Sequence, residues 1–584
     1  MKRLREWIPE IALVLASTAA GIRAGGRWLS PTSDAGIWWS LPERLASGER
    51  LYRDIFPNQY GPLSPYLVSW VTRPFAFSSA SILIVSWIPA VIAAVLVLRL
   101  ARPFLSLLER LCLAAILIGV GLFAPGLGRL VYPYSPAAVH ALCLSLGALL
   151  VIRPPDESGA LGWRSWVAGV LAGLAFCCKQ EIGIVAAMAL VASGLTMSSS
   201  DRPRGQGPWG GIARCLAGFA APAVLGVLFV LTSAPLESLR LDSHVWPLAA
   251  PPPSWNRLFR LIAGIGPGLP GRLLDSLRGL GLAASLFALI GLLLARDSPY
   301  RPRRFVPVAL VLAALLAWDL RDGSLLRRNL GFVHLWMTMA FTVALWAFLD
   351  RRRAHRDFLV GFGVFAGLLG ARSAFSGDIA NPYAGVSHLP GALALLLFLF
   401  VFLPEVWPPG GKPGDSASRF TRLVWAAVLF PVVCLGAAIG MISLRSPGFR
   451  PVDTPRGRIW ADRDRADLYR RAALEIRPGE RVLALPETNA VDVLFEARSA
   501  SPFVLMVPGW LDPRAEELLI RRFEQEPPDV VVVFRRPTWE YGVAPFGQGF
   551  GIRLAEWIQT HNRLVATSPG GNLYRRGAPG KDAP

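Results

Sequence analysis

Long apolar runs broken by short polar stretches fill the first 445 positions. A segment needs about 20 mostly apolar residues to cross a bilayer. Runs of that character fall around 8–24, 79–98, 111–124, 136–152, 166–178, 182–197, 215–231, 280–295, 305–318, 330–349, 358–371, 389–403 and 423–444. They predict a polytopic α-helical membrane protein with about thirteen transmembrane helices, several of them short. The first run has a basic start, MKRLRE, and no small-residue cleavage site, so it reads as a retained helix.

The pattern changes at position 446. A Pro- and Arg-rich stretch, RSPGFRPVDTPRGR, reads as a linker. Beyond it an amphipathic helix is expected over 464–476. Short apolar runs at 481–485 and 530–534, bounded by turn residues, suit buried strands. Helices are expected over 513–526 and 552–561. Alternating strand and helix predicts a small α/β domain. The division is therefore 1–445, a transmembrane domain with its first loop at 31–78, and 446–584, an α/β domain. There is no internal repeat of 20–50 residues.

Arginine placement orients the chain. With the N-terminus in the cytoplasm and the runs alternating, the inner loops receive Arg99, Arg102 and Arg110; Arg153 and Arg164; Arg202 and Arg204; Arg296, Arg301, Arg303 and Arg304; Arg351, Arg352, Arg353 and Arg356; and Lys412, Arg419 and Arg422. That is a positive-inside pattern. It puts the first loop outside, and an odd number of spans puts the α/β domain there too. Arg327, Arg328 and Arg372 fall outside against the trend.

Composition supports this frame. The chain has 584 residues, 53% hydrophobic and only 17% charged, below the roughly 25% charged of soluble domains. The net charge of +20 resides largely in short loops, so it argues for membrane orientation and against nucleic acid as partner. All six cysteines lie in apolar segments and read as small buried hydrophobes. No N-x-S/T sequon is present, which fits a bacterial protein.

The polar stretch from Pro31 to Tyr66, PTSDAGIWWSLPERLASGERLYRDIFPNQYGPLSPY, joins acids, amides and aromatics beside a membrane segment. It reads as a site at the water–lipid boundary. Asp34 has two readings: a general base or charge stabiliser at the membrane face, or, with Ser33, an N-cap preceding an interfacial helix AGIWWSLPERLA. Trp38, Trp39 and Tyr52 suit interfacial anchors. Asp54 beside Arg53 reads as a solvated pair. Lys179-Gln180-Glu181 interrupts two apolar runs, where charges are costly and face a cavity or partner; a solvated turn is the plain alternative. Arg327, Arg328, Arg372 and His388 offer cations to a lipid phosphate, or simply snorkel to headgroups.

Other motifs are set aside. GQGPWG at 205–210 fits G-x-G-x-x-G but follows no strand and contains Pro208. GFGVFAG at 361–367 is small-residue helix packing. No H-E-x-x-H, Walker A, G-x-S-x-G or Cys/His cluster is present. A metalloprotease, an ATP-driven pump and a soluble nucleotide-sugar enzyme lack support, and no cofactor is expected.

The first-loop residues SDAGIWW and ASGERLYRDIFPNQYGPLSPYL, with CCKQEIGI and the later PGERVLALPET and PPDVVVVF, resemble the GT-C integral-membrane glycosyltransferases. The likeness is to the protein O-mannosyltransferase and aminoarabinose transferase type, and within it to the bacterial Rgt-like branch. The resemblance implies a multi-pass inner-membrane enzyme with its C-terminal domain on the extracytoplasmic side. It implies a polyprenyl-phosphate-linked sugar donor and a glycan, lipid or protein acceptor. Asp34 would act as general base, with inverting direct displacement. Tyr52, Asp54, Tyr60, Lys179, Glu181, Arg327, Arg328, Arg372 and His388 are the candidate substrate-binding residues. Many relatives carry a second acid directly after the first; here it is Ala35, so either Asp54 supplies the second carboxylate or the acceptor is bound differently, and a divalent cation is unsupported. The rival class is a secondary transporter or glycolipid flippase, against which stand the missing repeat and the clustering of charges at one face.

Overall fold

The computed structural model describes residues 5–24, 31, 34–56, 60–75, 77–123, 130–131, 135–153, 161–196, 208–233, 332–350, 355–375, 385–402, 448–508, 511–538 and 543–577. Its helices up to position 402 are α1 (Ile8–Ala24), α2 (Asp34–Ala46), α3 (Leu63–Thr72), α4 (Ser79–Ala101), α5 (Leu107–Ile116), α6 (Pro136–Ile152), α7 (Leu161–Cys178), α8 (Gln180–Thr196), α9 (Pro208–Ser233), α10 (Phe332–Leu349), α11 (Arg356–Phe375) and α12 (Gly385–Leu397). Helix α5 runs on as a π-helical stretch, Leu117–Leu122, and α12 as another, Phe398–Phe402. The expected spans at 280–295, 305–318 and 423–444 lie outside the described residues.

Helix α4 has 23 residues, about 35 Å at 1.5 Å per residue, enough for a bilayer core of about 30 Å. Among the described residues it and residues 209–233 are long and apolar enough to cross, and several shorter helices are equally apolar. Only 22% of the 18-residue apolar window in 209–233 is buried, and Trp209, Val224 and Leu225 are exposed. So large an apolar surface calls for lipid. Between helices the packing is close. A Cβ on Gly169 would fall 2.0 Å from Cys215 O, and one on Gly218 would fall 2.3 Å from Trp166 O, so α7 and α9 touch backbone to backbone.

Basic residues gather at one end of this bundle. Arg99 at the end of α4 pairs with Glu10 at 3.3 Å, Arg102 with Glu6, and Arg110 donates to Glu6 O at 3.1 Å. The first loop and the α/β unit meet the other end. There Ser79 N, opening α4, donates to Arg456 O at 3.1 Å.

The α/β unit comprises β1 (Phe449–Thr454), β2 (Gly457–Asp462), α13 (Arg463–Glu475), β3 (Arg481–Leu485), α14 (Val491–Leu494), β4 (Arg498–Ser499), α15 (Pro513–Gln525), β5 (Val530–Phe534), α16 (Ile552–His561), β6 (Asn562–Ser568) and β7 (Gly571–Arg576). The main sheet has the order β4-β3-β5-β7-β6, parallel across β4, β3 and β5 and antiparallel at β7 and β6. Strand β5 is apolar throughout, and β3 is apolar after Arg481, because helices cover both faces.

The stretch read as a linker is instead a hairpin, β1 paired antiparallel with β2. Its prolines disguise it. Pro451 is tolerated because the ribbon has two strands and each has a free edge. Pro455 lies in the two-residue turn, closed by Gly457 with φ +111°.

Candidate functional site

Helix α2 organises the site. Its positions 34, 38, 41 and 45 follow the i, i+4, i+7, i+11 spacing of one helical face. Trp38, Leu41 and Leu45 on that face are buried with Tyr52, Tyr60 and Val68 in one apolar cluster. Trp38 meets the Tyr60 ring edge-on, centroids 4.8 Å apart. The Trp38 indole N–H is buried and has no partner among the described residues. Such an orphan costs about 1–3 kcal/mol unless a bound molecule accepts it. Asp34 is the first residue of the helix, which thus begins one position before the expected AGIWWSLPERLA. Its side chain lies outside the described atoms.

Tyr60 and Gly61 lie on the break between α7 and α8. Lys179 is the single residue between those helices. Its N–H continues α7 by donating to Ala175 O at 2.8 Å, and its carbonyl accepts from Ile182 N and Gly183 N at 3.2 Å. Gly61 N donates to Cys178 O at 3.3 Å. A Cβ at Gly61 would stand 2.1 Å from Cys177 O, so only glycine lets the loop come this close. The Tyr52 hydroxyl donates to Tyr60 O at 2.8 Å and holds the loop from the other side.

This contact places Lys179 Nζ 5.0 Å from the Tyr60 ring centroid, within cation–π range. Lys179 is 2% exposed. Its ammonium is 3.6 Å from Glu181 Oε1, and Arg372 Nη2 from α11 donates to the same oxygen at 2.6 Å. One carboxylate is thus shared by two cations beside two tyrosines and a tryptophan. A short hydroxyl–imidazole contact braces the same end of the bundle: Ser64 Oγ on α3 and His140 Nδ1 on α6 lie 2.7 Å apart, both buried. His140 is a lone ionisable residue in an apolar run, and that isolation is the signal that marks it in the sequence.

The other candidates are placed differently. Asp54 is half-buried next to an exposed Arg53 4.0 Å away, and its Oδ2 accepts from Arg50 N at 2.8 Å, closing a turn. His388 is half-buried on α12. Arg327 and Arg328 lie outside the described residues. Trp38, Trp39 and Tyr52, which suited interfacial anchors, are 2%, 0% and 0% exposed. They are packing residues, because the α/β unit covers what the sequence left at the surface. Phe56 enters that unit: its N–H donates to Pro502 O at 2.9 Å and its ring lies 5.2 Å from that of Phe503. Among the described residues no group of three or more His, Cys, Asp or Glu side chains is arranged to hold a metal ion.

Residues 59–224 match the family model described as dolichyl-phosphate-mannose-protein mannosyltransferase. The match spans the Tyr60–Gly61 contact and the Lys179 break, and it supports the GT-C resemblance. No curated protein matches the sequence. Among solved structures, ArnT from Cupriavidus metallidurans bound to undecaprenyl phosphate is similar at 14% identity and TM-score 0.48, covering 97% of each chain. The Archaeoglobus fulgidus oligosaccharyltransferase in complex with zinc and sulfate is similar at 13% identity and TM-score 0.47, covering 97% of this chain and 73% of that one.

Proposed function

We propose that the protein is a membrane glycosyltransferase of the GT-C kind. It transfers a sugar from a polyprenyl-phosphate donor to an acceptor hydroxyl of lipopolysaccharide, another envelope glycan or a protein. The transfer takes place at the outer face of a bacterial inner membrane. The observation that carries this reading is the Lys179–Glu181–Arg372 cluster seated against Tyr60. Lys179 and Arg372 bring two cations to one place in the bundle, and a lipid-linked phosphate is an anion that arrives from the bilayer. The matched family description, a dolichyl-phosphate-sugar enzyme, points to the same donor class.

The reaction divides the residues. Asp34 accepts the proton from the acceptor hydroxyl as its oxygen bonds to the anomeric carbon. The bond from that carbon to the phosphate oxygen breaks on the opposite side, and the configuration inverts. The lipid phosphate leaves with the electron pair, and Lys179 and Arg372 stabilise its charge. Tyr52 sets Tyr60, and Tyr60 sets Lys179. Asp54 serves the loop turn.

The test is glycan and glycolipid mass profiling of a deletion strain. The strain is complemented with wild type or with Asp34→Asn at matched membrane levels. The expected result is loss of one sugar, restored by wild type and not by Asp34→Asn. Full restoration by Asp34→Asn rejects the base. Accumulation of an unmodified substrate on the inner face instead would make the protein a transporter.

A further inference from the structure

The back of helix α2 belongs to the α/β unit. Gly36, Ser40, Glu43 and Arg44 repeat at i, i+4, i+7 and i+8 and form a stripe opposite positions 34, 38, 41 and 45. Each of the four meets the α/β unit. A Cβ at Gly36 would fall 2.7 Å from Asn489 Cα and 2.9 Å from Ala490 N. Ser40 Oγ donates to Asp492 Oδ1 at 2.5 Å, and both residues are buried. Arg456 at the β1–β2 turn donates to Glu43 Oε1 at 3.0 Å. Arg44 Nη1 donates to Ser501 O at 3.0 Å. Beside this stripe, Trp39 is buried among Ala490, Val491 and Leu494.

The loop that delivers Asp492 is itself held in an unusual shape. Asn489 and Ala490 both have left-handed backbone, with φ of 46° and 56°. Two successive non-glycine residues in that region persist only where surroundings over-determine them, and such strain gathers at functional sites. The Tyr469 hydroxyl donates to Asn489 O at 2.8 Å, and Asn489 Nδ2 donates to Glu487 O at 3.1 Å. The strained turn starts α14 and aims Asp492 at Ser40. It also brings the backbone onto Gly36, two positions from Asp34.

We infer that Asp492 is a positioning residue of the transfer site: through Ser40 it fixes the rotation and depth of α2 from behind, and so sets where Asp34 stands in front. The α/β unit is then half of the site and not a cover over it. The inference rests on the reading of Asp34 as base. Displacement of a catalytic group by about 1 Å can cost about a hundredfold in rate, so a single buried hydrogen bond six positions along the helix is a sufficient lever.

The deletion strain and its missing glycan provide the readout. Variants Asp34→Asn, Ser40→Ala, Asp492→Ala, Asp492→Asn and the Ser40→Ala/Asp492→Ala double are compared at matched membrane levels. Asp34→Asn should yield no product. Ser40→Ala and Asp492→Ala should each lower the rate of product formation by about tenfold, and the double by no more than the worse single, since both remove one bond. Asp492→Asn keeps an oxygen acceptor of the same shape, so it should recover the rate to within about twofold of wild type. A dead Asp34→Asn beside an undiminished Asp492→Ala overturns the positioning role and leaves the base standing. So does a loss in Asp492→Ala that Asp492→Asn fails to recover, or a double variant that multiplies the two single losses. An undiminished Asp34→Asn overturns the base itself, and with it the role drawn for Asp492.

Discussion

Lys179 and Tyr60 meet as cation and ring, 5.0 Å from ammonium to centroid, although they lie 119 positions apart in the chain. The contact ties the first loop to the only charged break between α7 and α8. It turns a lone lysine in an arginine-using chain into part of a defined cluster.

Replacing Lys179 by methionine keeps the buried stem and removes the ammonium. Glu181 retains Arg372, so the protein should still accumulate in the membrane. Product formation should fall about a hundredfold, the scale of losing one preorganised charge at a developing anion. Unchanged product in the glycan profile at normal membrane levels would remove Lys179 from the reaction.

Glu181 and Arg372 should prove coupled. With Glu181→Gln, Lys179 and Arg372 face each other without their shared anion. With both Glu181→Gln and Arg372→Gln, that repulsion is gone. A double-mutant cycle on the melting temperature of the purified protein should therefore give a coupling of about 1–2 kcal/mol. Additive losses would mean that the 2.6 Å contact contributes little.

Gly61→Ala should be among the most damaging single-methyl changes in the chain. Its Cβ meets a backbone carbonyl 2.1 Å away, so the loop must shift and Tyr60 with it. A cost of about 1–3 kcal/mol or more is expected from overpacking alone. Trimming Cys177 to alanine should give no rescue, because the clash is with its main chain. Rescue by Cys177→Ala in a thermal melt would show that the side chain, not the carbonyl, sets the limit.

The seam between α2 and the α/β unit should loosen as pH rises. Burial pushes Glu43 up to about 7 from an ordinary 4.5, with Arg456 pulling the other way and Asp492 and Glu496 adding to the rise. Burial also raises Asp492, opposed by its bond from Ser40 and by Arg44. A raised acid holds a proton in the folded protein that the unfolded chain has released. Stability from Glu43 is therefore complete below about pH 4.5 and is lost as pH climbs towards about 7. Between those values wild type should lose more thermal stability than Glu43→Gln. Parallel curves would place Glu43 in a wetter setting than its burial indicates.

Periodicity in the sequence reached the elements that depend on it. The run at 136–152 is α6, and the strands at 481–485 and 530–534 are β3 and β5 to the residue. It did not reach the β1–β2 hairpin, whose prolines and arginines imitate a linker. Trp38 and Trp39 resemble interfacial anchors in sequence, because nothing local says that a domain some 450 positions later will cover them. The two stripes of α2 are legible as a helix but not as a front and a back. Ser40 carries no signal at all until Asp492 is placed beside it.

The amino-acid sequence alone determined where the chain is apolar for long enough to enter a membrane, where it becomes an α/β unit, and that a polar first loop and a charged break interrupt the apolar runs. These follow from hydrophobicity and backbone preference, which act over a few residues. Only the tertiary structure decided that Tyr60 rests on Lys179, that Glu181 is shared with Arg372, and that Asp492 holds α2 from behind. Those contacts join segments from about 120 to more than 450 positions apart. Close packing and the need to satisfy buried polar groups select such pairs only once the whole chain has folded.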